Sequence, residues 1–109
     1  MRIIGAEDVH ALLDMEQCME QVRHAFTLEA SGQTLQPIRT KMDLPDGRGL
    51  LGMMPGSIAD PSCFGIKVVS VFPGNFAAGV GSHQGLVLLF EPQHAIWRSE
   101  ERRVGKECR

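Results

Sequence analysis

No run of apolar residues in this chain approaches the roughly 18–20 needed to span a bilayer, so a helical membrane anchor is not expected. There is no excess of positive charge either. Lys+Arg number 11 against 13 Asp+Glu, a formal net charge of −2, which leaves no basic field to attract nucleic acid. The opening residues, Met1 to Asp8, turn acidic at Glu7 and Asp8, too early for a secretory signal. The three cysteines, Cys18, Cys63 and Cys108, are an odd set without metal-type spacing and read as free thiols of a reducing cytoplasm. His10, His24, His83 and His94 have no Cys, Asp or Glu at ligand spacing, so no zinc site is expected. No nucleophile elbow occurs. What remains is an ordinary globular composition, 43% hydrophobic and 22% charged over 109 residues, one domain's worth at most.

Local patterning places the elements. Ala6–Leu13 reads as a short helix. Asp14 opens a second, with Gln17 three residues on completing a capping-box pattern. Along that helix Met15, Cys18, Met19, Val22, Ala25 and Phe26 recur at spacings of three and four, so this stripe is expected to face a core, and Gly32 is the expected stop. Pro37–Leu44 alternates as a strand does. Pro45–Gly49 is a turn cluster, and Leu50–Met54 returns as the partner of a hairpin. Pro55–Pro61 reads as loop. Phe64–Phe72 is a β-branched strand, Pro73–Gly85 a long Gly-rich loop, and Leu86–Phe90 a fully apolar strand. The expected fold class is α+β: two N-terminal helices packed on a mostly antiparallel or mixed sheet of three to four strands.

The last twelve residues break the texture. Arg98–Arg109 carries five of the 11 Lys+Arg and three of the 13 Asp+Glu, and Val104 is its one aliphatic side chain. It reads either as a solvated charged tail or as a non-native one, because it translates residue for residue from a DNA string that resembles a sequencing adapter. The second reading is taken: a partial domain over 1–97 and a non-native, poorly ordered tail over 98–109.

Few residues stand out as chemistry. Lys67 lies inside an otherwise apolar strand, where an ammonium is costly unless it is paired or used; the alternative is a lysine whose head reaches solvent from an edge. Arg39 lies on the polar parity of its strand, either as a solvated arginine or as the second half of a carboxylate clamp with Lys67. The loop Gly79–Gly85 fails as a dinucleotide fingerprint, because Gln84 stands where the third glycine belongs and the loop opens a strand instead of a helix. Its backbone N–H groups and the Ser82 hydroxyl remain able to meet a phosphate. Met53 and Met54 read as core filler.

Three blocks, Gln36–Thr40, Gly65–Asn75 and Ser82–Phe90, resemble in order and spacing the ornithine cyclodeaminase/mu-crystallin family, and the resemblance extends over Met1 to Pro92. It implies a substrate-binding and dimerising domain into which a Rossmann domain for NAD or NADP is inserted. The latter is absent from this sequence, as are the catalytic Asp and the closing strands. It implies a homodimeric parent that takes a small amino acid, with ornithine cyclodeamination to proline and ammonia as the first reading. An amino-acid dehydrogenase, an imine or ketimine reductase, or a non-catalytic mu-crystallin-like binder are the alternatives. Carried over by position, Arg39 and Lys67 match residues that bind the substrate carboxylate, while Ser82, His83 and Gln84 match a motif near the cofactor. Arg39 and Lys67 are then expected on neighbouring strands with side chains on one face. This stretch alone is expected to be inactive and to hold no dinucleotide.

Overall fold

The computed structural model describes residues 1–94 and the backbone of 97–103. The chain runs β1 (Arg2–Ile4), α1 (Ala6–Leu12), α2 (Met15–Ala30), β2 (Thr34–Leu35), β3 (Thr40–Asp43), β4 (Leu50–Ala59), β5 (Ser62–Val71), a 3-10 turn (Pro73–Ala78), β6 (His83–Phe90) and β7 (Trp97–Arg103). The strands form one seven-stranded sheet in the order β1-β7-β6-β5-β4-β2, with β3 also on β4. All pairs are antiparallel except β1 with β7. The class is α+β, as expected.

The local signals act where they were read. Asp14 caps α2: its carboxylate accepts the Gln17 N–H at 2.8 Å, and the Gln17 side chain accepts the Asp14 N–H at 3.1 Å. Gly32 ends the helix turn at φ 74°, a left-handed conformation that costs a Cβ-bearing residue about 1 kcal/mol or more. Asp14→Ala should therefore lower stability by about 1 kcal/mol, read as a shifted urea midpoint; an unchanged midpoint would show that the cap contributes nothing. The hairpin β3–β4 closes over the 44–49 turn, where Asp46 accepts the backbone N–H of Arg48 and the Arg48 guanidinium. Those two bonds hold the exposed Asp46 carboxyl below its ordinary range by favouring its ionised form.

Three expectations are corrected. Pro55–Ala59, read as loop, continues β4. Pro55 pairs with Ile66 on the β5 side, while on the other edge β3 stops at Met53 and β2 begins at Ser57. Proline thus falls where the second ladder is interrupted, and its missing N–H leaves no bond unmade there. Second, Arg98–Arg103 was expected to lie apart from the fold, yet it supplies β7 between β6 and β1. Strand pairing is made by backbone groups, so a charged segment completes an open edge as well as an apolar one. Val104 and Cys108 lie outside the described residues.

The third correction concerns α2. The stripe of Met15, Met19, Val22 and Phe26 is exposed, Phe26 at 66%. The helix instead docks through its opposite side: Leu28 is buried, and His24 Nε2–H donates to the Asp60 carbonyl at 2.7 Å. Ile38 and Met42 on the β2–β3 side are exposed too. Among the described residues only Leu28 and Val69 are buried apolar side chains. The chain exposes 8264 Å², against about 6,000 Å² for a folded monomer of this mass. Cys18 and Cys63 are free thiols, and no described helix is long and apolar enough to cross a membrane.

Candidate functional site

β5 is the centre of the sheet and sorts the candidate residues by parity. Directly paired residues of neighbouring antiparallel strands project from the same face. Lys67 pairs with Met54 on β4 and with Val87 on β6. The next row on that face is Gly52, Val69 and Gly85, and the row after it is Asp43, Leu50, Val71 and His83. The opposite face carries Met53, Val68 and Leu86, then Leu51, Ser70 and Gln84.

Lys67 is half-buried in the middle of this sheet. The ion pairs among the described residues are Lys41–Asp43, Arg48–Asp46 and His94–Glu91, so neither Lys67 nor Arg39 has a described counter-charge. Arg39 does not stand on a neighbouring strand as expected. β4 lies between β3 and β5, and the β3 ladder stops at Thr40, opposite Met53. Arg39 therefore precedes the strand, exposed, one step beyond the last pair and level with Met54. The reason is that alternation along one strand sets facing but says nothing about which strands become neighbours.

Ser82, His83 and Gln84 separate. Ser82 is buried at the entry to β6, its carbonyl accepts the Phe72 N–H at 2.8 Å, and its Oγ shares a 2.8 Å hydrogen bond with His83 Nδ1. His83 lies on the Lys67 face opposite Val71, four residues along β5 from Lys67, which is about 13 Å at the rise of a strand. Gln84 projects from the other face opposite Ser70, and its side-chain amide donates to the Gly81 carbonyl at 3.1 Å. Asn75 donates to the same carbonyl at 3.2 Å. Those two amides brace the 79–82 loop, a role for Asn75 that local patterning did not reveal.

At the His83 end of the face, a cavity of about 770 Å³ opens between the 47–49 turn and the 73–75 segment, lined by Asp43, Arg48, Leu50, Val71, Phe72 and Asn75. Its size is that of a small-molecule site. The described residues do not, however, fit a dinucleotide by themselves. The Gly79–Gly85 loop leads into β6, not into a helix N-terminus where a pyrophosphate would sit. No cluster of three or more metal-ligating side chains occurs among the described residues.

Known proteins share this fold and part of this sequence. Ketimine reductase mu-crystallin of Mus musculus is 36% identical over 69 residues, 63% of this chain and 22% of the relative. Alanine dehydrogenase of Archaeoglobus fulgidus is 30% identical over 91 residues, 84% of this chain and 27% of the relative. The Δ1-pyrroline-2-carboxylate reductase of Thermococcus litoralis, solved with NADH and L-proline, superposes with a TM-score of 0.88 at 26% identity, covering 94% of this chain and 32% of that one. An archaeal alanine dehydrogenase dimer with bound NAD gives a TM-score of 0.85 at 26% identity, covering 95% of this chain and 31% of that one. The chain thus spans between about a fifth and a third of the length of these relatives. The family profile for ornithine cyclodeaminase/mu-crystallin matches residues 2–96, and the chain belongs to that family.

Proposed function

We propose that residues 1–97 are the N-terminal part of the substrate-binding and dimerising domain of a nicotinamide-dependent enzyme acting on an amino or imino acid, and that 98–109 is not native to it. The observation that carries the reading is Lys67: a half-buried cation in mid-sheet, beside glycine and apolar side chains, with no ion pair to a described residue. An ammonium in such a place calls for an anion. Alanine, proline and pyrroline-2-carboxylate, named with the relatives, are carboxylates whose neighbouring carbon bears nitrogen. On this reading Lys67 holds the substrate carboxylate, and Arg39 approaches it from across Met54. The Ser82–His83 pair lies at the cofactor side of the face. In the whole protein a nicotinamide would accept or supply hydride at the nitrogen-bearing carbon; NAD or NADP would be held mainly by a domain outside this chain. The dimer described for the archaeal alanine dehydrogenase is extended to the parent on the same basis.

Imine reduction, or its reverse, is preferred to ornithine cyclodeamination, because the relatives named above are reductases and a dehydrogenase. The test is turnover by the full-length protein. A cyclic 2-imino acid should be reduced with consumption of NADH or NADPH, followed by nicotinamide absorbance. Proline and ammonia formed from L-ornithine without net nicotinamide consumption would establish cyclodeamination instead. The 109-residue chain itself should show no micromolar binding of NADH by calorimetry, since its loop lacks the helix N-terminus that a pyrophosphate needs. A micromolar Kd would refute that division of labour.

A further inference from the structure

We infer that α2 is a self-association surface, whose outward apolar stripe receives the same stripe of a second copy of this chain as an antiparallel, isologous helix pair. The inference goes beyond the reading of Lys67 and does not use it. Helical spacing puts Met15, Met19, Val22 and Phe26 on one face, and all four are exposed. They line a groove of about 700 Å³ along the helix. At about 100° per residue, Leu28 and His24, by which α2 docks on the rest of the chain, lie on the far side of the helix axis. The stripe therefore points away from the sheet, uncovered by the described residues, and a second helix can reach it without displacing any element.

The rim of the stripe selects the occupant. Glu16 and Arg23 stand on the same side of it, two turns or about 10 Å apart along the axis. That is too far to pair within one helix, and neither is in an ion pair of the described chain. In an antiparallel pair that crosses between Met19 and Val22, Met15 is level with the copy's Phe26, and Met19 with its Val22. A two-fold axis relating antiparallel helices keeps each rim on its own side. Arg23 then comes within about 3 Å, along the axis, of the level of the copy's Glu16, and Glu16 does the same with the copy's Arg23. One contact thus buries the stripe against itself and brings opposite charges together twice. A parallel pair would leave those charges on opposite rims, two turns apart. An anionic bilayer is the poorer occupant, because Glu16, Glu20 and Glu29 outnumber Arg23 on the helix. A single helix pair buries less than the roughly 1,600 Å² of a standard interface, so a Kd on the order of 10–100 µM is expected.

The experiment is sedimentation equilibrium of the 109-residue chain over a micromolar concentration series, with circular dichroism to confirm the fold of each variant. The variants are Phe26→Asp, Arg23→Glu, Glu16→Arg and the double exchange Glu16→Arg with Arg23→Glu. The wild type should dimerise, and Phe26→Asp should weaken the dimer by about tenfold or more, because it sets a charge against the copy's Met15. Each single reversal should weaken it by roughly five- to tenfold, since the two-fold axis repeats the like-charge contact. The double exchange restores opposite charges and should return the dimer to within about threefold of wild type. A monomeric wild type would assign the stripe to another occupant and overturn the inference. A dimer indifferent to Phe26→Asp would leave the domain a dimerising one but place the contact elsewhere, so α2 would lose the role. Single reversals without effect, or a double exchange no better than either single, would overturn the antiparallel pairing. Should Phe26→Asp fail to fold, the three charge variants, all at exposed positions, decide by themselves.

Discussion

Lys67→Ala in the full-length protein is expected to lower kcat/KM by roughly 10²–10³-fold, with little change in Tm. Removing one partner of a buried, hydrogen-bonded charge pair costs about 2–5 kcal/mol, largely because the other charge is left unpaired; here that other charge would be the substrate carboxylate. The fold should not suffer. Lys67 has no ion pair to a described residue, so its ammonium contributes no such contact to stability, and taking an unpartnered charge out of a half-buried position is neutral or slightly favourable. Arg39→Ala should cost less, about tenfold, because Arg39 is exposed and precedes its strand, and an exposed guanidinium is screened by water. Steady-state kinetics and a thermal melt on the same preparations check all three statements. An unchanged rate for Lys67→Ala would end the carboxylate assignment; a lost rate accompanied by a collapsed melt would make Lys67 a structural residue instead.

Gly85→Val is expected to prevent folding, or to cost more than about 3 kcal/mol, at the overpacked end of what single substitutions do. A Cβ at Gly85 would lie 2.7 Å from the Val68 carbonyl oxygen and 3.3 Å from the Val69 Cα. Both are backbone atoms of the central strand, and they cannot withdraw without breaking the β5–β6 ladder. Gly52 is the control on the same row. A Cβ there would meet Val69 Cγ1 at 3.3 Å and Met54 Cε at 3.7 Å, both ends of side chains that can shift, so Gly52→Ala should cost about 1 kcal/mol or less. Far-ultraviolet circular dichroism with urea titration separates the two. Equal midpoints for Gly85→Val and wild type would mean that β5 and β6 do not approach as closely as the structure has them.

The ease with which elements were read follows the range of the interaction that forms them. The α2 cap depends on Asp14 and Gln17, three residues apart, and the β3–β4 hairpin on a short turn cluster. Both were legible for that reason. Pro55 and Gly56 look like loop residues until one knows that the ladder on their outer edge is interrupted between β3 and β2, a fact about three strands at once. The α2 stripe was read correctly as an apolar stripe, but periodicity identifies a face without naming its partner. In this chain the helix docks through Leu28 and His24 on the other side. Of the candidate site, Lys67 was visible as a charge among β-branched residues. Met54 was not, because a methionine beside another methionine has the appearance of core until register sets it against Lys67.

By itself the sequence determined the α+β class, the α2 boundaries, the alternation along the strands that carry Met42 and Lys67 and the blocks by which the family is recognised, because each rests on backbone propensity, side-chain alternation or a short motif carried by neighbouring residues. Only the tertiary structure decided that β4 separates Arg39 from Lys67, that His83 shares the Lys67 face while Gln84 does not, and that Met54 is paired with Lys67. Those are outcomes of strand order and register. They are set by pairing between segments distant in sequence, and a shift of one residue would send every one of these side chains to the opposite face.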